Sequence, residues 1–116
     1  MIKNSSVLMV FMLLICAVAC KKVSSHQDLE KITELEKQAD ASREAAGAGK
    51  VEVDTALLGK LGNAYLDFAG KYAEAPETPE FLFRAGELYS NELKNFRKAI
   101  EVFERNYKQY PEHETA

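Results

Sequence analysis

Apolar residues recur at helical spacing along most of the chain. In residues 55–73, 79–91 and 96–110 they fall three or four positions apart, with charged residues between them. This spacing places the apolar side chains on one face of a helix. No segment shows the strict alternation of apolar and polar residues that is typical of a strand. The pattern therefore predicts an all-α fold.

Polar residues and prolines set the expected ends of these helices. Asp54 precedes the helix at 55–73 and is expected to cap its first turn. Thr78 is expected to cap the next helix, with Pro79 at the first helical position, where a missing N–H costs nothing. Pro111 is expected to stop the last helix.

An earlier helix is predicted between Ser24 or Ser25, as the cap, and the flexible Gly-Ala-Gly stretch at 47–49. Its inward positions form a weak heptad seam, made of Ile32, Leu35, Ala39, Ser42 and Ala46. Two interpretations remain open. The segment is either a solvated tether ahead of the following domain or a short oligomerising coiled coil.

The chain also repeats itself at a period of 35 residues. Leu61, Ala64, Tyr65, Phe68, Tyr72 and Pro76 recur as Phe96, Ala99, Ile100, Phe103, Tyr107 and Pro111. A repeat of this length is typical of stacked helical hairpins. Such scaffolds present surfaces and leave little room for a catalytic cavity.

Residues 79–111 resemble the tetratricopeptide repeat. Matching positions are Leu82, the Ala85-Gly86 step, Tyr89, Ala99, Phe103 and Pro111. The resemblance implies antiparallel helix hairpins of α-solenoid type, about one and a half repeats after a leader helix. It implies a packing set of Leu61, Ala64, Phe68, Gly86, Tyr89, Ala99, Phe103, Tyr107 and Pro111. By the 35-residue alignment the helix at 55–73 is the second helix of a degenerate repeat, although Leu61-Gly62 followed by Tyr65 also mimics a first helix.

The same resemblance implies a partner-binding groove on the first helix of the hairpin. Its residues would be Glu80, Phe83, Glu87, Ser90 and Asn91. An exposed aromatic ring beside carboxylates suits an extended peptide with apolar and basic side chains. In the alternative interpretation, Phe83 packs under the leader helix or the loop at 74–78.

The first twenty residues predict export and a lipid anchor. Lys3 is followed by an apolar stretch at 7–19, about 13 residues long and shorter than the roughly 20 that a membrane-spanning helix needs. Ala17 and Ala19 precede Cys20, which resembles the lipobox of bacterial lipoproteins, although that family usually has leucine at the position of Ala17. The resemblance implies acylation of Cys20, for example with palmitate. The alternative is an ordinary signal peptide cut near Ala19.

Lys21 and Lys22 stand where, in the enterobacterial pattern, an aspartate retains lipoproteins in the inner membrane. By that resemblance the destination is the outer membrane, with the domain facing the periplasm. Two lysines also suit anionic headgroups.

Charge and composition argue against several classes of function. Without residues 1–19 the chain has 14 basic and 18 acidic residues, a net charge of −4, so no nucleic-acid partner is expected. His26 and His113 are each isolated, and no metal site or other cofactor is expected. No nucleophile or convergent polar cluster is apparent, so no enzyme is expected.

These features predict a signal peptide at 1–19, a lipid-anchored leader helix and linker at 20–53, and a repeat domain at 54–116. The expected function is that of a protein-interaction module in the bacterial cell envelope, which binds a protein or peptide partner. The alternative is a structural spacer that oligomerises through the leader helix and has no peptide groove.

Overall fold

The computed structural model describes the backbone of residues 2–115 and the side chains of residues 7, 9–13, 15 and 22–115. Its elements in chain order are α1 (Ile2–Gly47), α2 (Thr55–Lys71), α3 (Thr78–Glu87), a π-helical turn (Leu88–Glu92) and α4 (Phe96–Gln109). No strand occurs in residues 2–115. The prediction of an all-α fold is confirmed.

The chain divides into two compact units, Met1–Glu30 and Lys31–Ala116. In the first unit α1 runs on past the expected cap, and the Ser25 hydroxyl donates to the Lys22 carbonyl at 2.9 Å. A new helix does not begin there. Cys20 lies in α1, but its side chain is outside the described side chains, so the expected lipid site stays a prediction. No described helix has an apolar stretch long enough to cross a membrane.

The second unit begins inside the segment that the sequence assigns to the leader helix and linker. Ile32 and Ala39 are 2% and 0% exposed, so the end of α1 contributes to the core of this unit. The helix ends at Gly47, and Gly49 turns the chain with a φ of 73°. Glycine adopts a positive φ without strain because it has no Cβ atom.

Two hydrogen bonds show that residues 31–47 of α1 lie antiparallel to α2. The Ser42 hydroxyl accepts from the Asp54 N–H at 2.9 Å, next to the turn. Farther away, the Tyr65 hydroxyl donates to Glu36 at 2.6 Å. Residues nearer the start of α1 therefore pair with residues nearer the end of α2.

Helices α2 and α3 form a second antiparallel pair with an aromatic contact. The Phe81 ring lies 5.2 Å from the Tyr65 ring and 5.0 Å from the Phe68 ring, centroid to centroid. At the other end the Tyr89 hydroxyl donates to Asn63 at 3.1 Å. Burial of these rings is a main source of stability at this contact.

Helix α4 returns along α3 and packs most closely at Gly86. A Cβ atom on Gly86 would come within 2.7 Å of three Phe103 ring atoms, so the ring occupies the space that a side chain would need. Lys98 lies over the Tyr89 ring, 5.0 Å from its centroid. The two helices therefore approach each other closely at Gly86.

The helix starts agree only in part with expectation. Asp54 accepts from the Leu57 N–H at 3.0 Å and caps α2, as predicted. Thr78 does not cap α3. It is the first residue of that helix, is fully buried, and donates its hydroxyl hydrogen to the Tyr72 carbonyl. That bond fixes the loop between α2 and α3.

The buried face of α4 differs from the apolar stripe in its sequence. Ala99, Val102 and Asn106 are buried, at 3%, 4% and 1% exposure. Phe96, Ile100 and Tyr107, expected in the core, are 58%, 59% and 64% exposed. Phe103, at the edge of this buried side, fills the space at Gly86, whereas Phe96, Ile100 and Tyr107 face outward.

Candidate functional site

An open groove of about 410 Å³ lies in the second unit, between the end of α1 and the third helix. Leu61, Tyr65 and Leu88 contribute buried side chains to its wall. Its charged and polar lining consists of Glu36, Asp40, Arg43, Arg84, Glu87, Asn91 and Glu92. We call these ten residues the α1/α3 groove.

Arg43 joins the two walls at one end of the α1/α3 groove. Its Nε and Nη2 donate to the two carboxylate oxygens of Glu92 at 2.9 and 2.6 Å, and its Nη1 donates to Asp40 at 2.8 Å. Such two-point pairing fixes orientation as well as distance. The hydrogen bond to Glu92 is the main cause that raises the pKa of Arg43.

Glu36 makes the second connection across the groove. It accepts from the Tyr65 hydroxyl at 2.6 Å and from Arg84 Nη1 at 2.8 Å. Burial first, and then the hydrogen bond to Glu36, raises the pKa of Tyr65. Burial lowers the pKa of Arg84, but the hydrogen bonds and charges of Glu80 and Glu36 outweigh it, and the net direction is upward.

The groove has an excess of acid. Four carboxylates line it against two guanidinium groups, and both guanidinium groups are already paired with carboxylates. Within the described part of the chain, Glu87 has no hydrogen-bond or ion-pair partner and is exposed. Asn91, one turn farther along, is also exposed and offers both a donor and an acceptor. A cationic, hydrogen-bonding ligand is the chemical match for this lining.

The π-helical turn Leu88–Glu92 places three of the groove residues, Leu88, Asn91 and Glu92. It is closed by hydrogen bonds from the Leu93 N–H to the Leu88 carbonyl at 3.1 Å and from the Asn95 N–H to the Tyr89 carbonyl at 2.7 Å. Lys94 follows with a φ of 54°, and Asn95 caps α4 by accepting from the Lys98 N–H at 3.3 Å. Turns of this kind are frequent at functional sites.

The residues of the sequence-predicted groove lie partly inside and partly outside the α1/α3 groove. Glu87 and Asn91 line the α1/α3 groove, whereas Glu80, Phe83 and Ser90 do not. Glu80 pairs with Arg84 at 3.1 Å. The Phe83 ring lies 5.9 Å from the Phe103 ring of α4 and is half-buried there, which neither earlier interpretation of Phe83 anticipated.

Sequence reasoning missed the α1 side of the groove altogether. Glu36, Asp40 and Arg43 have the spacing of an ordinary solvated helix face, and so do Arg84 and Glu80. Glu36, Arg43 and Arg84 pair with groups 29 to 49 residues away, and those contacts depend on how the helices pack. No local signal in the sequence reports those contacts.

The packing set expected from the repeat divides into three groups. Buried members are Leu61, Phe68, Gly86, Tyr89 and Ala99. Ala64 and Phe103 are half-buried. Tyr107 and Pro111 are exposed, because Tyr107 lies on the outward side of α4 and Pro111 lies beyond the end of that helix at Gln109.

The described side chains contain no group of three His, Cys, Asp or Glu residues placed to hold a metal ion. No protein-family model matches the chain, and neither the curated proteins nor the solved structures contain a match to it.

Proposed function

We propose that this chain is a lipid-anchored interaction module of the bacterial cell envelope, whose α1/α3 groove holds an extended, basic segment of a protein partner. The observation that carries the proposal is the acidic groove itself, which is open to solvent and held in shape by Arg43 and Arg84. Its action is recognition, without the making or breaking of covalent bonds.

The order of contacts between the helices supports a solenoid of the tetratricopeptide type. Glu36 meets Arg84 and Arg43 meets Glu92, so positions rise together along α1 and the third helix, and these two helices run parallel. Each is followed by an antiparallel return helix. Parallel first helices flanking a groove are what a stack of hairpins requires, and the 35-residue repeat agrees.

In this arrangement the end of α1 is the first helix of the first hairpin. That assignment agrees with α2 as the second helix of a degenerate repeat. It also supplies half of the groove, which a single complete repeat at 79–111 would lack.

The alternative function, a spacer that oligomerises through the α1 seam, has less support. Ile32 and Ala39 belong to that seam, and both are buried within their own unit. Side chains already covered inside one chain are not available to a zipper between chains.

The anchor of the proposal rests on Cys20 and the apolar segment before it. Two or more acyl chains hold a protein stably on a membrane, whereas one gives only marginal binding. We propose the outer membrane as the destination and the periplasm as the side that the groove faces. A Cys20→Ser variant should leave the membrane fraction, while Cys16→Ser, its matched control, should stay there. Equal loss in both variants would contradict the anchor.

The groove can be tested with two fluorescent decapeptides, one alternating lysine with alanine and the other glutamate with alanine. Anisotropy titration of the full chain in detergent should show binding of the lysine peptide only. Glu87→Lys should weaken that binding about tenfold or more, since it replaces the unpaired groove carboxylate with a like charge.

Glu101→Lys is the matched control, because it makes the same change of net charge on an exposed position of α4 outside the groove. Binding should be retained in this variant. Equal weakening by the two substitutions, or equal binding of the glutamate peptide, would reject the groove as a site for basic segments.

A further inference from the structure

A stripe of apolar side chains runs along the outer side of α4. Phe96, Ile100 and Tyr107 are 58%, 59% and 64% exposed, and Phe103 is half-buried beside them. Their spacing of four, three and four residues keeps all four within about 60° around the helix axis. Adjacent large apolar groups that stay in water typically mark an interaction surface. We call these four residues the α4 stripe.

The chain itself shows how such a stripe is covered. The residues 35 positions earlier include Leu61, Tyr65 and Phe68, which are all buried, and the Phe81 ring of α3 packs on the latter two. The equivalent stripe on α2 is therefore covered by a neighbouring helix, α3. On α4, Phe103 contacts Phe83 and Gly86 of α3, whereas Phe96, Ile100 and Tyr107 have no such cover among the described side chains.

We propose that the α4 stripe pairs with the α4 stripe of a second copy of this chain, antiparallel and about a twofold axis. The 4-3-4 spacing is that of alternating core positions in a two-helix coiled coil. The 4-3-4 spacing reads the same in both directions. A second α4 that runs in the opposite direction therefore sets its Tyr107 against Phe96 and its Phe103 against Ile100. A twofold contact of one patch with itself is the commonest kind of homodimer.

The charges at the edge of the stripe select this arrangement. Arg97 and Glu104 are exposed and lie on the same side of α4, about 80–100° from Phe96. In an antiparallel pair Arg97 of one copy lies near Glu104 of the other, and the axis repeats this pair. In a parallel pair the edges with Arg97 and Glu104 would lie on opposite sides of the contact, so these two charges would not meet. The opposite edge of the stripe is occupied by α3, where Ala99 and Asn106 are buried.

The size of the stripe predicts a weak dimer. Three side chains that are about 60% exposed offer roughly 300–400 Å² per copy. The two copies together would bury less than the roughly 1,200 Å² of a standard interface, in the range of transient contacts. The edge charges then act mainly on orientation and specificity.

A photo-crosslinking amino acid at position 100 of the full chain tests the pairing. Cells that express a mixture of unlabelled and 15N-labelled copies of the protein should yield mixed-isotope dimers, joined from position 100 to residues near Phe103. A probe at Val51, which is 60% exposed outside α4, is the control and should yield none.

Reversing the charges at the edge of the stripe tests the antiparallel pairing without disturbing the core. Arg97→Glu or Glu104→Arg alone should reduce the dimer yield about three- to tenfold, and the two together should restore it. Failure of the double variant to restore the yield would overturn the antiparallel pairing. Crosslinks from position 100 only to another protein, or no crosslinks at all, would overturn the second copy as the occupant.

Discussion

Arg43 and Glu92, which are 49 residues apart in the chain, face each other across the groove with two hydrogen bonds of 2.9 and 2.6 Å. The pair ties the end of α1 to the π-helical turn. Both side chains keep about a third of their surface in water, at 34% and 29% exposure. The contribution of the pair to stability is therefore modest, and its main effect is to hold the groove walls at a fixed distance.

Replacing Arg43 should loosen one end of the groove. Arg43→Met keeps the length of the side chain and removes both hydrogen bonds to Glu92, so the free energy of unfolding should fall by about 1 kcal/mol. Arg105→Met is the control, since the only described partner of Arg105 is Gln109 on the same helix. The measurement is urea unfolding followed by the near-ultraviolet dichroism of the tyrosines. An equal loss in both variants would contradict a specific role of the Arg43–Glu92 pair.

A methyl group at Gly86 should separate α3 from α4. Gly86→Ala places a Cβ within 2.7 Å of Phe103 ring atoms, and the displacement of a packed ring should cost about 1–3 kcal/mol. Gly59→Ala in α2 is the matched control. Nothing lies within 4 Å of its added Cβ, and alanine favours a helix by up to about 1 kcal/mol. Thermal unfolding should therefore move in opposite directions, and equal shifts would contradict the close packing.

The end of α1 should prove essential to the second unit. Ile32→Ala removes a side chain that is 2% exposed and should destabilise this unit by about 2–5 kcal/mol. Lys37→Ala, on the exposed side of the same helix, should change stability little. An unchanged unfolding midpoint in Ile32→Ala would show that residues 31–47 are only a tether. It would contradict their role as one wall of the α1/α3 groove.

Alkaline pH should unfold the second unit through Tyr65. Burial and the hydrogen bond to Glu36 raise the pKa of this phenol from its ordinary value of 10.0. The neutral form is favoured in the folded chain, so stability is fully present below pH 10 and falls above it, as the unfolded chain releases the proton first. The slope from this one group should be about 1.4 kcal/mol per pH unit.

Tyr65→Phe should remove that slope and should lose about 0.5–1.5 kcal/mol at neutral pH with the hydrogen bond. Tyr107→Phe, at an exposed position of α4, is the control and should keep the slope. Urea midpoints between pH 8 and 11, followed at the helical dichroism band, decide between them. If stability falls with pH as steeply in Tyr65→Phe as in the unchanged chain, Tyr65 is not the group responsible.

The positions of α2 and α4 follow from the sequence because their causes are local. Asp54 caps α2 and Asn95 caps α4 through side-chain bonds to N–H groups three residues on. Apolar spacing gives the helical period, and the small residue at Gly86 marks the contact of two helices. Each of these signals acts within a few residues of the feature that it determines.

Which side of a helix is buried depends instead on its neighbours. The apolar stripe of α4 suggested a core made of Phe96, Ile100 and Tyr107, whereas the core side contains Ala99, Val102 and the polar Asn106. On the stripe itself Phe103 packs at Gly86, whereas Phe96, Ile100 and Tyr107 stay exposed.

The same limit applies to the groove. Phe83 looked like a groove residue by its position in the repeat, yet it meets Phe103. Glu36 and Arg43 looked like solvated charges, yet they bind groups on other helices. Pairing over such separations is a property of the packed chain. Of the five groove residues expected from the repeat, Glu87 and Asn91 lie in the α1/α3 groove.

The most direct test of the account is photo-crosslinking in cells from position 87, inside the groove, compared with position 83, outside it. We predict that the probe at 87 joins the chain to one dominant envelope protein through a segment rich in lysine or arginine, and that Asn91→Trp, which fills the groove, removes the product. The probe at 83 should not give this product. The same product from both positions, or links from position 87 only within its own chain, would contradict recognition through the α1/α3 groove.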